Sequence, residues 1–270
     1  MKPLSFQLHA AGVLAPGLGS LAQLRSVARG DEALAPEPLA LPAPGQLPAN
    51  ERRRASQVVR LTLACIAQAL EASPVDGSSL RSVFAADEGT GEVCQQMLEA
   101  LATTGQVSPL LFTNSVHNAP SGYFSIAWRN EQPATVVSLG TESFASGLLC
   151  AATDAAATGQ PVLLVACDPV MTAPLDELLP IVHGTCAAWV LSAAEDHAPD
   201  AGLGRFRMQL QPAAGAAPSA LPEWMPGAWH GNSSARALAA LELLDAPAGT
   251  VLRLSLGGQS LALWREGAAA

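Results

Sequence analysis

The sequence predicts a layered α/β fold, α-β-α, built around a buried and mainly parallel sheet. Hydrophobic residues make up 49% of the 270-residue chain and charged residues 14%, which is enough apolar material for a large core. Alanine, leucine and glycine dominate, so helices and strands can approach closely. Short apolar runs alternate with helical patterns along the chain, and this alternation is typical of layered α/β architectures.

The first hundred residues alternate between strand and helix. The predicted elements are a strand at 4–13, a helix at 20–29, a loop at 31–50, a helix at 50–73, a strand at 82–86 and a helix at 92–103. Leu21, Leu24 and Val27 recur at helical spacing in the first helix. Asn50 is the expected N-cap of the second helix, which is strongly amphipathic.

A strand followed at once by a buried helix is the most informative local pattern. Residues 133–138 form a short β-branched run that predicts a buried strand; its members are Ala134, Thr135, Val136, Val137 and Ser138. A tight segment with Gly140 follows, and residues 145–157 are small and apolar enough for a core helix. Such a turn exposes one side chain above a helix N-terminus, where many enzymes hold a nucleophile.

The remaining chain predicts two more buried strands and a separate C-terminal piece. The expected elements are strands at 161–166 and 185–192, a Pro/Ala-rich loop at 211–227, a helix at 235–244, and a hairpin of strands at 250–255 and 259–264. We therefore expect a main domain over 1–210 and a helix plus hairpin over 228–270 that packs on the same domain.

Composition excludes several function classes. A net charge of −9, a pI near 4.9 and a single lysine, Lys2, disfavour nucleic acid as a partner, because phosphate binding needs clustered basic residues. The five cysteines form no CxxC pair, and no histidine lies at metal-ligand spacing, so neither a metal nor another cofactor is expected. No leader peptide and no apolar run long enough to span a bilayer is found, which predicts a cytoplasmic protein.

Residues 142–147, Glu-Ser-Phe-Ala-Ser-Gly, resemble the nucleophile elbow of β-ketoacyl synthases, which belong to the thiolase superfamily. The family's elbow reads Thr-Ala-Cys-Ser/Thr-Ser-Gly/Ser. Phe144 stands where the family has its cysteine, with Glu142 and Ser143 before it. Phenylalanine cannot attack a thioester, so the resemblance implies a retained scaffold without its nucleophile.

Other segments resemble the same family in the same order along the chain. They are residues 12–17, the loop-helix at 107–122 in which Asn118, Ala119 and Gly122 fall on the family pattern, and residues 159–166, 184–191 and 254–263. A full ketosynthase has two similar halves, and this chain keeps the first half with a stub of the second. The resemblance therefore implies a thiolase-like fold whose second half is strongly truncated.

Two catalytic histidines of ketosynthases lack good counterparts. The family holds them in His-Gly-Thr-Gly-Thr and Lys-Ser-x-x-Gly-His motifs, where they stabilise the oxyanion and assist decarboxylation. His230 begins a weak remnant of the first motif, His-Gly-Asn-Ser-Ser. The second motif is missing, because no lysine follows Lys2 and no histidine follows His230. The resemblance implies a chain that catalyses no condensation.

Ketosynthase-like chains without the cysteine occur as chain-length factors, which pair with an active ketosynthase in type II polyketide systems. The run at 115–123 resembles the short versions from bacterial aryl polyene and xanthomonadin pigment clusters. The resemblance implies a heterodimer in which strand 134–138 pairs with the other subunit. Acyl carrier proteins are usually acidic, as this chain is, so a carrier is expected to dock on the partner. It also implies a partner-pocket gate formed by Phe112, Thr113, Asn114, Val116 and His117.

Two other functions stay open at this point. One is a thiolase-superfamily enzyme with rebuilt chemistry, an acyltransferase or thioesterase that uses Ser143 or His117. The other is a homodimeric acyl-binding protein. Several features also have plainer interpretations: Phe144 as a core aromatic, the polar cluster around His117 as turn and cap chemistry, and Arg52, Arg53 and Arg54 as a solvated helix start.

Overall fold

The computed structural model describes residues 3–35, 37–194, 202–212 and 217–267. The strands are β1 (Leu4–Leu14), β2 (Arg81–Ala85), β3 (Ala134–Val137), β4 (Val162–Asp168), β5 (Thr185–Ala193), β6 (Gly204–Pro212), β7 (Leu252–Leu256) and β8 (Gln259–Arg265). The α-helices are α1 (Leu21–Ala28), α2 (Ala49–Arg54), α3 (Gln57–Glu71), α4 (Gly91–Thr104), α5 (Pro109–Asn114), α6 (Ala119–Trp128), α7 (Ser143–Thr158) and α8 (Ser233–Ala240).

All eight of these strands form one sheet in the order β3-β2-β4-β5-β1-β6-β8-β7. Only β2 with β3 and β2 with β4 pair in parallel; the other neighbours are antiparallel. The prediction of a mainly parallel sheet is therefore wrong. A parallel pair needs a crossover connection, usually a helix, whereas residues 169–184 contain only one short 3-10 turn, so β5 runs back along β4.

Helices cover both faces of this sheet. Along β4, Leu163 and Val165 face the core under α3, while Leu164 and Ala166 face the core that contains α7 and α8. Leucines of β7 and β8 belong to that second core, so the C-terminal hairpin closes over α7. Gly12 lets α3 cross β1 closely, since a Cβ there would lie 2.1 Å from the Cys65 carbonyl oxygen.

The helix expected at 50–73 is divided into α2 and α3. Ala55 and Ser56 adopt extended backbone conformations between the two helices. Asn50 does not cap either one: it lies inside α2, where its side-chain oxygen accepts a hydrogen bond from Arg53. The predicted cap is therefore wrong, and the helical pattern spans a break that hydrophobic periodicity does not reveal.

Two strands differ from their sequence predictions. The run at 134–138 is a strand at the edge of the sheet with Ala134 and Thr135 exposed, so the expected burial is wrong for the isolated chain. The sequence interpretation also missed β6, although Phe206 and Met208 alternate with polar residues in the pattern of a half-buried strand. The end of β6 takes up positions 211 and 212 of the predicted loop, and positions 213–216 of that loop lie outside the described residues.

Candidate functional site

The strand, turn and helix of the predicted elbow occupy consecutive positions in the structure. β3 ends at Val137 and α7 begins at Ser143. Between them Gly140 has a φ of 57°, a left-handed conformation that suits glycine, and this bend turns the chain into the helix. α7 then runs through the core, with its first residues beneath the β7–β8 hairpin.

Phe144 fills the position at which the family resemblance places a cysteine. Its side chain has no exposed surface and packs edge-on against Trp189, with ring centroids 5.3 Å apart. Its backbone N–H donates a 2.7 Å hydrogen bond to the hydroxyl of Ser233 at the start of α8. The elbow is therefore closed by a packed aromatic ring, and the helix N–H at this position is bonded within the chain.

Ser143 has no geometry suited to a nucleophile. Its buried hydroxyl donates to the Gly140 carbonyl oxygen at 2.7 Å and accepts a hydrogen bond from the Leu139 N–H at 2.8 Å. Both bonds close the elbow turn. A serine nucleophile needs a base at its proton, and here that proton is directed to a backbone carbonyl.

Glu142 fastens the elbow to the C-terminal hairpin. One carboxylate oxygen accepts a hydrogen bond from the Ser255 hydroxyl at 2.6 Å, and the other accepts one from the Gly257 N–H at 2.7 Å. These bonds, the Gly257 one foremost, lower the pKa of Glu142 because they stabilise the ionised carboxylate. A carboxylate held in this way acts as an anchor and is poorly suited to act as a general base.

A buried polar cluster that the sequence analysis missed lies beside the elbow. The side chain of Asp168, at the end of β4, is fully buried and accepts hydrogen bonds from the Asp87 N–H, the Ser234 N–H and the Ser234 hydroxyl at 2.6–2.7 Å. Burial raises the pKa of Asp168 despite these bonds and the nearby Arg236. The cluster joins α8 to the sheet. Asp168 directly follows an apolar run in the sequence, and this position was the signal from which a buried polar cluster could have been predicted.

His230 and the residues after it separate into two environments. The side chain of His230 is exposed, whereas Ser233 and Ser234 are buried and bond the elbow and Asp168. Asn232, also buried, donates hydrogen bonds to the His183 carbonyl oxygen and the Thr185 hydroxyl. The polar residues of this run thus have structural contacts, and its histidine lies at the surface.

The five gate residues do not share one orientation. Phe112 and Val116 are 65% and 45% exposed, and Thr113 is exposed beside them. Asn114 is buried, and its amide donates to the carbonyl oxygens of Arg54 and Leu110. His117 is half-buried against Gly89, and its buried Nε2 has no hydrogen-bond partner among the described residues.

Helices α4 and α5 present an exposed hydrophobic surface. Across its 14 residues, α4 buries only Gly91 and Val93. The exposed side chains of this surface, named here the α4–α5 face, are Leu98, Leu101, Leu110, Phe112 and Val116, each between 42% and 65% exposed. Several large apolar side chains exposed on neighbouring helices are unusual for a surface that contacts only water.

A protein-family model described as the β-ketoacyl synthase N-terminal domain matches residues 26–224. The chain belongs to this family. No curated protein matches it significantly. Within the described residues, no three His, Cys, Asp or Glu side chains are grouped to hold a metal ion, and no helix there has the length and apolarity to cross a bilayer.

Solved structures share the fold of this family member. A chain of the complex between a ketosynthase (ApeO) and its chain length factor (ApeC) from Xenorhabdus doucetiae matches with a TM-score of 0.71 and 22% identity, covering 97% of this chain and 100% of that one. The ishigamide ketosynthase/chain length factor matches with a TM-score of 0.72 and 12% identity over 97% and 100% of the two chains.

A β-ketoacyl synthase from Burkholderia phymatum matches with a TM-score of 0.58 and 14% identity, over 80% of this chain and 67% of its own. The fold is therefore the thiolase-like ketosynthase fold, and this chain spans about its N-terminal half, as the sequence predicts.

Proposed function

We propose that this chain is a noncatalytic subunit of the chain-length-factor type, which pairs with an active β-ketoacyl synthase and shapes its acyl pocket in polyene or fatty-acid-like biosynthesis. The observation that carries this proposal is the closed elbow. Phe144 is fully buried on Trp189 at the position of the nucleophile, while the surrounding strand, turn and helix are intact. A scaffold kept without its nucleophile fits a subunit that acts through a partner.

The free edge of β3 supports pairing with a second ketosynthase-like chain. β3 is the terminal strand of the sheet, with β2 on one side and no pairing strand on the other among the described residues. An exposed strand edge is a template for strand addition by another chain. The exposed Leu139, at 54%, extends apolar surface just beyond the strand.

The lengths of the structural relatives agree with this proposal. Two chains that are matched over their whole length come from structures described as ketosynthase/chain length factor complexes. Ketosynthases described alone are covered over only 67% and 47% of their lengths. A short chain of this fold thus resembles members of two-component complexes more closely than it resembles complete ketosynthases.

The gate would then act on the partner's pocket. Phe112, Thr113 and Val116 lie on the outside of the chain, where they can reach another subunit. His117 adds a ring nitrogen with no partner within the described chain. Asn114 holds the gate in place through its bond to the Arg54 carbonyl oxygen. An acyl carrier protein would dock on the ketosynthase, because carrier proteins are usually acidic and this chain, with a net charge of −9, would repel them.

The enzymatic alternative has less support. The hydroxyl of Ser143 is bonded to backbone groups, and Glu142 is bonded to Ser255 and Gly257, so neither is poised for catalysis. The homodimer alternative would use the same β3 edge. The mass of the complex formed with a ketosynthase distinguishes it from the heterodimer.

The test is co-expression with an intact ketosynthase from the same genome, followed by size-exclusion with light scattering and a carrier-protein elongation assay. We expect a 1:1 complex whose activity depends on both chains. Val116→Trp should shorten the products, because a larger gate side chain removes pocket volume. The matched control is Ala157→Trp, an exposed position near the far end of α7, which should leave product length unchanged.

Two results would contradict the proposal. One is a stable homodimer that ignores the ketosynthase. The other is acyl turnover by this chain alone that is lost in Ser143→Ala, which would establish the rebuilt enzyme.

A further inference from the structure

A cavity of about 310 Å³ lies near the ends of β4 and β5, apart from the elbow. Its walls come from the turn after β1, the loop before α2, the first two turns of α3 and the loop between β4 and β5. Leu61 in its wall belongs to the core under α3, on the opposite face of the sheet from Phe144. The cavity is therefore separate from the position of the lost nucleophile.

The cavity has a defined shape because its covering loop is fixed. The guanidinium of Arg60 on α3 donates a 2.7 Å hydrogen bond to the carbonyl oxygen of Leu41, and Arg52 on α2 donates one to Leu47 at 3.0 Å. On the other wall Gly184 faces Leu61, and a Cβ added there would make an ordinary contact of 3.4 Å with the leucine methyl group. A cavity held in this way is suited to a small molecule.

The lining selects a chemical class. Most of its residues are apolar: Pro16, Pro38, Leu39, Leu41, Leu61, Val170 and Val182. Three polar side chains, Glu37, Gln57 and His183, can accept a hydrogen bond from a ligand. The lining includes the carboxylate of Glu37 and no lysine or arginine, and the neighbouring Arg60 guanidinium is bonded to the Leu41 carbonyl oxygen, so an anionic ligand would meet like charge in the lining itself.

We propose that this cavity, lined by Leu61, Val182 and Glu37, binds a small uncharged amphiphile with an apolar body and a hydroxyl donor, and that it discriminates against carboxylates of the same shape. The size is at the lower end of the range for small-molecule sites. The site is distinct from the acyl pocket of the proposed heterodimer. It belongs to the isolated chain, so its test does not depend on the proposed function.

The probes are 4-butylphenol and 4-butylbenzoate, titrated into the full chain by calorimetry and ligand-observed NMR. These two molecules share an apolar body and differ in the charge of the polar end. We expect saturable binding of the phenol with a Kd below about 1 mM and at least tenfold weaker binding of the benzoate.

Two variants in one loop locate the site. Val182 lines the cavity and is 50% exposed, so Val182→Trp should block the cavity without loss of folding and weaken phenol binding at least tenfold. Leu178 is 80% exposed in the same loop and does not line the cavity, so Leu178→Trp should change binding less than twofold. Glu37→Gln should narrow the difference between phenol and benzoate.

The proposal would be overturned by no saturable binding of the phenol, by equal binding to Val182→Trp and the unmodified chain, or by equal losses in the two tryptophan variants. The last pattern would mean nonspecific adsorption to the loop. Preferential binding of the benzoate would also overturn the assigned ligand class.

Discussion

The two edge strands of the sheet, β7 and β3, differ in whether the chain itself pairs their outward backbone groups. At one edge, β7 is covered by its own chain: the Ser219 N–H donates to the Arg253 carbonyl oxygen at 2.8 Å, and the Arg253 N–H donates to the Ser219 hydroxyl at 2.9 Å. The adjacent turn is held by Glu142 through Ser255 and Gly257. The outward backbone N–H and C=O of Arg253, in the middle of β7, are therefore paired within the molecule.

The β3 edge has no such cover among the described residues. The carbonyl oxygens of Pro133 and Val137 face β2, where they accept from Ser82 and Ala86. By the alternation of a strand, the backbone groups of Ala134 and Val136 point away from the sheet. An open strand edge is a template for strand addition by another chain, so the proposed pairing would use the edge that the chain itself leaves open.

The largest effect should come from a proline on the open edge. Ala134 is exposed and begins β3, a position where the sheet tolerates proline, so Ala134→Pro should leave the melting temperature within about 2 °C. It removes an outward N–H donor, and we expect at least a hundredfold weaker complex with the ketosynthase, about 2.7 kcal/mol. Scanning calorimetry of the isolated chain measures the melting temperature. Light scattering and titration calorimetry of the mixed subunits measure the affinity of the complex.

Thr135→Pro is the control that tests whether the direction of the N–H matters. The N–H of Thr135 points toward β2 by the same alternation, so Thr135→Pro should destabilise the isolated chain as well. Equal complex stability for Ala134→Pro and the unmodified chain would show that β3 is not the pairing strand.

A smaller effect, on stability alone, should follow from Glu142→Gln at the closed edge. The change weakens two charge-assisted hydrogen bonds to Ser255 and Gly257, and we expect a loss of about 1–2 kcal/mol at pH 7. Because the folded-state pKa of Glu142 is lowered, its contribution is present above the ordinary value of 4.5 and is lost as pH falls through the folded pKa.

Urea unfolding of both proteins at several pH values measures that dependence. The difference between Glu142→Gln and the unmodified chain should shrink in acid. A difference that does not change with pH would mean that packing, and not the carboxylate, explains the loss of stability. We expect the affinity of Glu142→Gln for the ketosynthase to stay within threefold of that of the unmodified chain.

The smallest effect should come from Ser219→Ala. The variant loses the hydroxyl acceptor for the Arg253 N–H and keeps its own N–H donor, so the free energy of unfolding should fall by about 0.5–1 kcal/mol. Complex formation should not change. A weaker complex would place the partner at the β7 edge, and β7 would then be the pairing edge in place of β3.

Local patterns were sufficient for much of the fold. The first helix has its expected period and is capped by Ser20, and the C-terminal hairpin lies close to its expected bounds. The elbow was predicted from a β-branched run, a glycine and a small-residue helix. These features depend on neighbours a few residues apart, where chain geometry determines structure.

Other features depend on distant contacts, which a single sequence does not encode visibly. The bond from Phe144 to Ser233 joins residues 89 positions apart, and Asp168 meets Ser234 across 66. The exposure of β3 was mispredicted for a related reason. A β-branched run has the same composition whether it is covered by its own chain or by another, so periodicity cannot distinguish the two.

The closure of the C-terminal hairpin over α7 has a consequence for biogenesis. β7 is synthesised after α7, so the side of α7 that β7 later covers is open when the helix leaves the ribosome, as are its surfaces toward β4, β5 and α8. Until about a hundred further residues have been added, that side is available to chaperones and to other nascent chains. Translation of the final strands therefore sets the moment at which α7 becomes fully covered.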